Sequence, residues 1–300
     1  MKFEKELNFL RCLSPLHAGS GSAIGIVDLP IQRESHTGFP KIESSSLKGA
    51  IRSNAYHQKT ANSHDTYLKV FGNEAADNDL NQSGCLTVSE ARILAFPVKS
   101  LNKIFTFITC PMVLNRLLQE QEAFFSQDYR FKFEQVAVKG KALVSDAKIL
   151  MNGSNIVLEE YVIESEVNSN VVQIATILDK ALNLGGYLKE RFVVVSDDYF
   201  KQFVEYSTDI NTRIRIDYDT GVVKDKALFY EENVPAETIF YSFLTYHDSK
   251  EASEGVLELQ LTSTAVKDYV DQHIDKVFQV GGNSSIGRGL IQRFPIKGGE

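Results

Sequence analysis

A chain of 300 residues lies between one large domain and two small ones, and it can bury about three quarters of its unfolded surface. Its 43% hydrophobic and 24% charged residues are ordinary for a globular protein, and no apolar run approaches the ~18 residues of a membrane span. The net charge of −7 argues against nucleic-acid binding by bulk charge, which leaves only a local basic groove on an acidic body.

The opening MKFEKELNFLRCL interleaves charge with apolar residues and does not read as a signal peptide. Phe3, Leu7 and Phe9 alternate with Glu4, Glu6 and Asn8, which predicts a half-buried strand over 3–11. A long loop follows, with Gly19, Gly21, Gly25 and Gly38 and with Pro15, Pro30 and Pro40. Loops of this length are uncommon and usually functional. Ser44 or Ser45 is expected to cap a helix to about residue 57, with Leu47 and Ile51 on its buried face. A short helix is expected at 65–71, and EAADNDLNQSG at 74–84 reads as a mobile surface loop. Two strands follow, LTVSEARILAF and KIFTFIT, and Pro111 opens a helix through VLNRLLQEQEAFF. Strands are expected at 131–138 and 155–163 and a helix at 171–182. RFVVVS reads as a strand, DDYFKQFVEYS as a helix, and 212–229 as a hairpin turning at DTG. AETIFYSFLTYH reads as a strand, TSTAVKDYVDQHIDKVFQV as a helix and GLIQRFPI as the last strand. Helices and strands mixed without a βαβα rhythm predict α+β with an antiparallel sheet, in an order that suits a ferredoxin-like (RRM-like) core with insertions.

Cys12, Cys85 and Cys110 have no CxxC spacing, which argues against a zinc site or a disulfide framework and for a reducing cytoplasm. GSGSAIG at 19–25 has dinucleotide-loop spacing, but VDLPIQR follows where a helix N-terminus must stand. GNSSIGRG at 282–289 has P-loop-like glycines, but Arg288 and Gly289 stand where lysine and a hydroxyl belong. What remains there is a glycine-rich turn whose amides can approach a phosphate, with Arg288 beside it. The start of SSSLKGAIR offers free N–H groups, with Lys48 and Arg52 on one face. The residues leave an anion site and a helix with solvated cations equally open. Asp28 before Leu29 and Pro30 reads by itself as a local hydrogen-bonding residue. In TRIRIDYD, Arg213 and Arg215 share one face and Thr212, Ile214 and Ile216 the other.

The blocks SPLHAGSG, VDLPIQR, HTGFP and SSLKGAIR, then KALFYEENVPAETIFYS at 226–242, then GGNSSIGRGL at 281–290, run in order along the whole chain. Together they resemble the RAMP-family backbone subunit of the CRISPR type III-B (Cmr) RNA-silencing complex. The resemblance implies one RAMP domain over 1–300. Its palm would span about 1–60 and 236–300 plus central strands, with insertions at about 61–204 and a thumb β-hairpin at about 205–235. It implies a guide-RNA-binding subunit that cleaves complementary RNA at regular intervals in antiviral defence. The implied partners are CRISPR RNA, target single-stranded RNA, other copies in a head-to-tail filament and other Cmr subunits. Asp28 falls on the family's catalytic aspartate, expected to act with a divalent metal ion (Mg or Mn). His17 falls on a loop histidine, and Glu232 lies in a block where a carboxylate would assist. Ser45, Ser46, Lys48, Arg52, Arg213, Arg215, Gly287 and Arg288 are the implied RNA contacts. A non-catalytic scaffold of the same fold, a metal-independent RAMP-fold nuclease processing precursor CRISPR RNA, and an unrelated acidic α+β protein are the alternatives.

Overall fold

A computed structural model describes residues 3–60, 63–73, 83–125, 132–224, 228–249 and 259–296. Most of the surface loop expected at 74–84 lies outside the described residues, as does residue 131. In chain order the elements are β1 (Phe3–Cys12), β2 (Lys41–Ile42), α1 (Ser44–Gln58), α2 (His64–Phe71), β3 (Leu86–Val88), β4 (Ala91–Ser100), β5 (Ile104–Thr109) and α3 (Pro111–Phe125). Then come β6 (Ala142–Val144), β7 (Asn155–Leu158), β8 (Tyr161–Val167), α4 (Ser169–Ala181), β9 (Phe192–Val194), α5 (Asp197–Tyr206), β10 (Asp209–Arg213) and β11 (Phe229–Asn233). The chain closes with β12 (Ile239–His247), α6 (Ser263–His273), β13 (Val277–Gln279) and β14 (Leu290–Ile296).

The sheet that carries both ends of the chain runs β13-β14-β1-β12-β4, antiparallel throughout. β1 is its centre, pairing Phe9 with Tyr241 on one side and with Phe294 on the other. The alternation in β1 predicts one wet face, but both faces are buried. Glu6 and Asn8 lie in the interior, where Arg293 donates to both, at 2.5 Å each. Lys267 of α6 approaches Glu6 at 3.3 Å, so helix α6 covers the face expected to meet water. A buried carboxylate persists only with such partners.

β4 is long enough to serve a second sheet. Its far half joins β5, and β5, β9, β6, β8 and β7 follow in turn until β7 returns to β4 at Ser100 and Leu158. The result is a closed ring of six strands, in which β5–β9 and β6–β8 are parallel. This departs from the expectation of a purely antiparallel sheet. Long crossovers through α3 and through β7 supply the connections that parallel pairs need.

Residues 132–138 form no strand. Asn115 of α3 pairs with both backbone groups of Val136, at 3.0 Å each, so that backbone has no call for a ladder. The strand expected at 155–163 is two, β7 and β8, joined through Glu159 at φ 48°. The last helix stops at His273, and Val277–Gln279 becomes an edge strand against β14. LTVSEARILAF breaks into β3 and β4 at Ser89, whose N–H donates to Phe243 O. Among the described residues no helix is long and apolar enough to cross a membrane.

Candidate functional site

Asp28 stands at the end of the glycine-containing loop, where residues 28–31 lie along β11. Leu29 bridges to Glu231 in parallel, its N–H donating to Tyr230 O and its carbonyl accepting from Glu232 N, both at 3.0 Å. The Tyr230 N–H donates to Asp28 Oδ2 at 2.7 Å. Asp28 Oδ1 has no partner among the described residues, and the side chain is partly open to solvent. One oxygen is therefore fixed by the backbone and the other is free to accept a proton or a cation.

His17 is tied to the same strand two residues further on, its Nδ1 lying 2.7 Å from Glu232 O. A carbonyl only accepts, so Nδ1 carries the proton in this bond. The ring lies against two glycines: a Cβ on Gly19 would meet Nε2 at 2.6 Å, and one on Gly282 would meet Cδ2 at 3.4 Å. Glu232 is buried and fully engaged. Its carboxylate accepts from Arg33 Nη2, Thr208 Oγ1 and Ile31 N. It acts as a strut between the loop, the start of β10 and β11, so both oxygens of the carboxylate expected to assist are already engaged.

The glycine-rich loop 281–289 closes the site from the other side. Gly282 N donates to His17 O at 2.9 Å, and Gly289 N donates to Pro15 O at 2.9 Å. Asn283 (φ 64°) and Gly287 (φ 78°) both adopt left-handed backbone, around a single turn at Ser284–Ile286. Arg288 Nη1 reaches Glu231 Oε1 at 3.2 Å, as does Nη2 of Arg213 from the end of β10. Arg215, further along the hairpin, is exposed.

Helix α1 begins at Ser44, so Ser44 and Ser45, the two expected caps, both lie inside it. Glu43 holds the N-cap position and makes no side-chain cap bond. Its N–H is satisfied by Gln32 Oε1 at 2.8 Å. The amide of Gln32 meanwhile donates to Gly19 O and to Ser46 Oγ, at 3.1 Å each. Gln32 thus ties the loop to the helix start. Ser45 is exposed, and Ser46 lines a 500 Å³ groove with Asn54, His57, Gln279 and Gly281.

Arg33, Lys41, Lys48 and Arg52, the cations between residues 33 and 52, have separate fates. Arg33 pairs with Glu232, and Lys41 pairs with Glu43 and Glu90. Arg52 turns to α2, donating to Tyr67 Oη at 3.1 Å and Gly72 O at 3.2 Å. Lys48 has no hydrogen-bond or ion-pair partner among the described residues. Burial, and then the charge of Arg52, hold its ammonium below the usual lysine pKa. HTGFP belongs to a docking turn: Glu34, two residues before it, accepts from Arg116 at 2.8 and 3.0 Å, and Phe39 meets Phe200 edge-on at 5.0 Å.

Sequence reasoning missed Gln32, Asn283 and the gathering role of Glu231. Only Asn283 carried a local signal, since asparagine is a residue that tolerates the left-handed region.

The RAMP superfamily model matches residues 9–292, nearly the whole chain. The chain belongs to the RAMP superfamily. It is 31% identical over 290 residues to the CRISPR system Cmr endoribonuclease Cmr4 of Pyrococcus furiosus, covering 94% of this chain and 92% of that protein. The CMR subunit Cmr4 of Saccharolobus solfataricus is 23% identical, over 95% of this RAMP chain and 94% of that one. Oligomeric Cmr4 from Pyrococcus furiosus superposes with a TM-score of 0.71 at 27% identity, covering 98% and 99% of the two chains. A chain of the type III-B Cmr-beta complex bound to cognate target RNA superposes with a TM-score of 0.74 at 25% identity, covering 97% of each.

Proposed function

We propose that this RAMP protein is the guide-RNA-binding backbone subunit of a type III-B CRISPR effector complex and cleaves complementary target RNA at regular intervals, in antiviral defence. The observation that carries the reading is the half-anchored carboxylate of Asp28 on the strand that also forms the base of the thumb. The full-length likeness to an endoribonuclease supports it, and so does the likeness to a chain of a complex bound to target RNA.

The palm reading is ferredoxin-like. In its support, the four strands β1, β4, β12 and β14 lie in the order fourth, first, third, second, with α1 after the first and α6 after the third. The hairpin from Asp209 to Asn233 is the thumb, and what lies within 61–204 apart from the palm's central strand β4 is insertion. The thumb's exposed Ile214, Ile216, Tyr218, Val222 and Val223 give it an apolar surface suited to wedging against bases. Base pairing would supply sequence specificity, and the protein would hold RNA by backbone and shape. A wedge matters chemically because attack by a ribose 2′-OH needs an in-line geometry that a regular A-form duplex denies. Asp28 Oδ1 would accept that proton or orient the hydroxyl, and His17 keeps the loop beside it in place. Ser45, Ser46, Lys48, Gly287 and Arg288 line the approach for guide phosphates. Copies would stack head to tail along one guide, a heterologous contact that extends instead of closing.

A divalent ion would find one open carboxylate oxygen, on Asp28. Among the described residues no group of three or more His, Cys, Asp or Glu side chains could cage a metal. Magnesium commonly takes one or two carboxylates and completes its shell with water and substrate phosphates, so the donor set fits an ion shared with RNA. Bound there, it would supply charge neutralisation at the scissile phosphate.

The test is a reconstituted complex with guide RNA and labelled complementary RNA, with and without EDTA, using native and Asp28→Ala chains. Evenly spaced, EDTA-sensitive products that vanish in the variant while binding persists are the expected result. Stable binding without products from the native chain would make it a scaffold. Cutting of repeat RNA in EDTA would make it a precursor-processing nuclease.

A further inference from the structure

We propose that Glu231 is a positioning residue that holds Arg213 of the thumb and Arg288 of the glycine-rich loop together as a bracket for one RNA phosphate. The inference rests on the RNA-binding reading above. Glu231 is only 3% exposed, and four side chains converge on its carboxylate. Arg213 Nη2 and Arg288 Nη1 each lie 3.2 Å from Oε1, Asn233 Nδ2 donates to Oε1 at 3.3 Å, and Asn283 Nδ2 donates to Oε2 at 2.8 Å. The two arms of the hairpin and the distant glycine-rich loop meet at this one group.

The electrostatics explain why a phosphate belongs in front of it. Two guanidinium groups sharing one oxygen would repel each other without the charge between them. Each guanidinium carries five N–H donors and spends one on Glu231. The remaining donors of both have no hydrogen-bond partner among the described residues. Glu231 balances one of the two positive charges and leaves an excess, which the charge of Asp209, within electrostatic reach of Arg288, opposes in part. A phosphodiester supplies the missing charge and several acceptors, one set for each fork. Burial pushes the Glu231 carboxyl up, but the bonds from Asn283, Asn233 and Arg213 outweigh it and hold the group below the usual range. It therefore stays charged wherever the protein is folded near neutrality. The role is positional because the carboxylate lies behind the arginines. Its own backbone also pairs with Leu29, next to Asp28, so the bracket and the cleaving loop share a register.

The experiment is a double-mutant cycle on the assembled complex, read as affinity for labelled guide RNA over a salt series. In the native background Arg213→Ala and Arg288→Ala are each expected to weaken binding about tenfold and to reduce the salt slope by about 1. In a Glu231→Gln background the same changes should cost less than about twofold, because the arginines are already out of place. Glu231→Asp, which keeps the charge, should restore part of the coupling. Additive losses overturn the proposal, with or without a fall in Tm, because a purely structural Glu231 lowers Tm and leaves the arginine terms independent. Native affinity and salt slope in Glu231→Gln also overturn it. Cleavage of complementary RNA is followed in the same samples. Coupling without cleavage leaves the bracket standing and removes the nuclease reading; cleavage without coupling does the reverse.

Discussion

Gly281→Ala is expected to damage the site through a contact that can be located to one atom. Gly281 has φ +76°, and a Cβ built there would lie 2.2 Å from the carbonyl oxygen of His17 and 2.9 Å from its carbon. Both are backbone atoms, and the same carbonyl accepts the Gly282 N–H at 2.9 Å. Two costs follow. A side chain in the left-handed region costs roughly 1 kcal/mol. Overpacking against backbone that must shift adds about 1–3 kcal/mol. Gly287→Ala separates the two, because Gly287 has nearly the same φ, +78°, with nothing within 4 Å of its Cβ. At about 2.1 cal/mol/K per residue, unfolding of a chain this size loses roughly 1.5 °C per kcal/mol. Calorimetry should therefore show Tm falling by about 3–6 °C for Gly281→Ala and about 1.5 °C for Gly287→Ala. Cleavage should fall with the first and much less with the second, since only the first moves His17. Equal Tm shifts would refute the reasoning, for then the space around Gly281 contributes nothing and backbone conformation alone decides.

Lys48 gives a pH prediction. Its ammonium is held below the usual lysine range, so the folded chain binds this proton more weakly than the unfolded one and gains stability as pH rises through the lowered value. A phosphate reverses the preference, and RNA affinity should fall as pH rises through that value, below the ordinary lysine pKa of about 10.4. Filter binding with Lys48→Arg should show a flatter profile, because arginine stays charged. Glu34→Ala leaves Arg116, whose side chain is 15% exposed, without its carboxylate. Loss of one partner of such a pair should cost about 3 kcal/mol or more, read as a lower denaturant midpoint at unchanged m.

Several elements were legible because their signal is local. The start of α5 at Asp197, the hairpin turn at Asp217–Gly221 and the apolar stripe of α1 are each set by a few adjacent residues. The six-strand ring was not legible. Its members Ala142–Val144 and Phe192–Val194 are three-residue apolar runs whose partners lie across long crossovers, one antiparallel and one parallel. The two-sided burial of β1 was hidden for a related reason, since Glu6 and Asn8 read as wet until Arg293, far along the chain, is seen beside them. In the site, turn chemistry marked Asp28 only as a local hydrogen-bonding residue, and the catalytic expectation for it came from the family resemblance. The gathering of Arg213, Arg288 and Asn283 on Glu231 is a purely long-range fact, and the neighbouring Glu232 attracted the catalytic expectation in its place.

Strand β11 carries β10 of the hairpin along one edge and the Asp28 segment along the other. On the proposed function, lever and blade would be geared to one part: a tilt of the hairpin about its base would take the carboxylate with it, and prying RNA apart would share one schedule with cutting it. For copies ranked along a guide, as proposed, the interval between cuts would then be a pitch, set by how far one such part stands from the next.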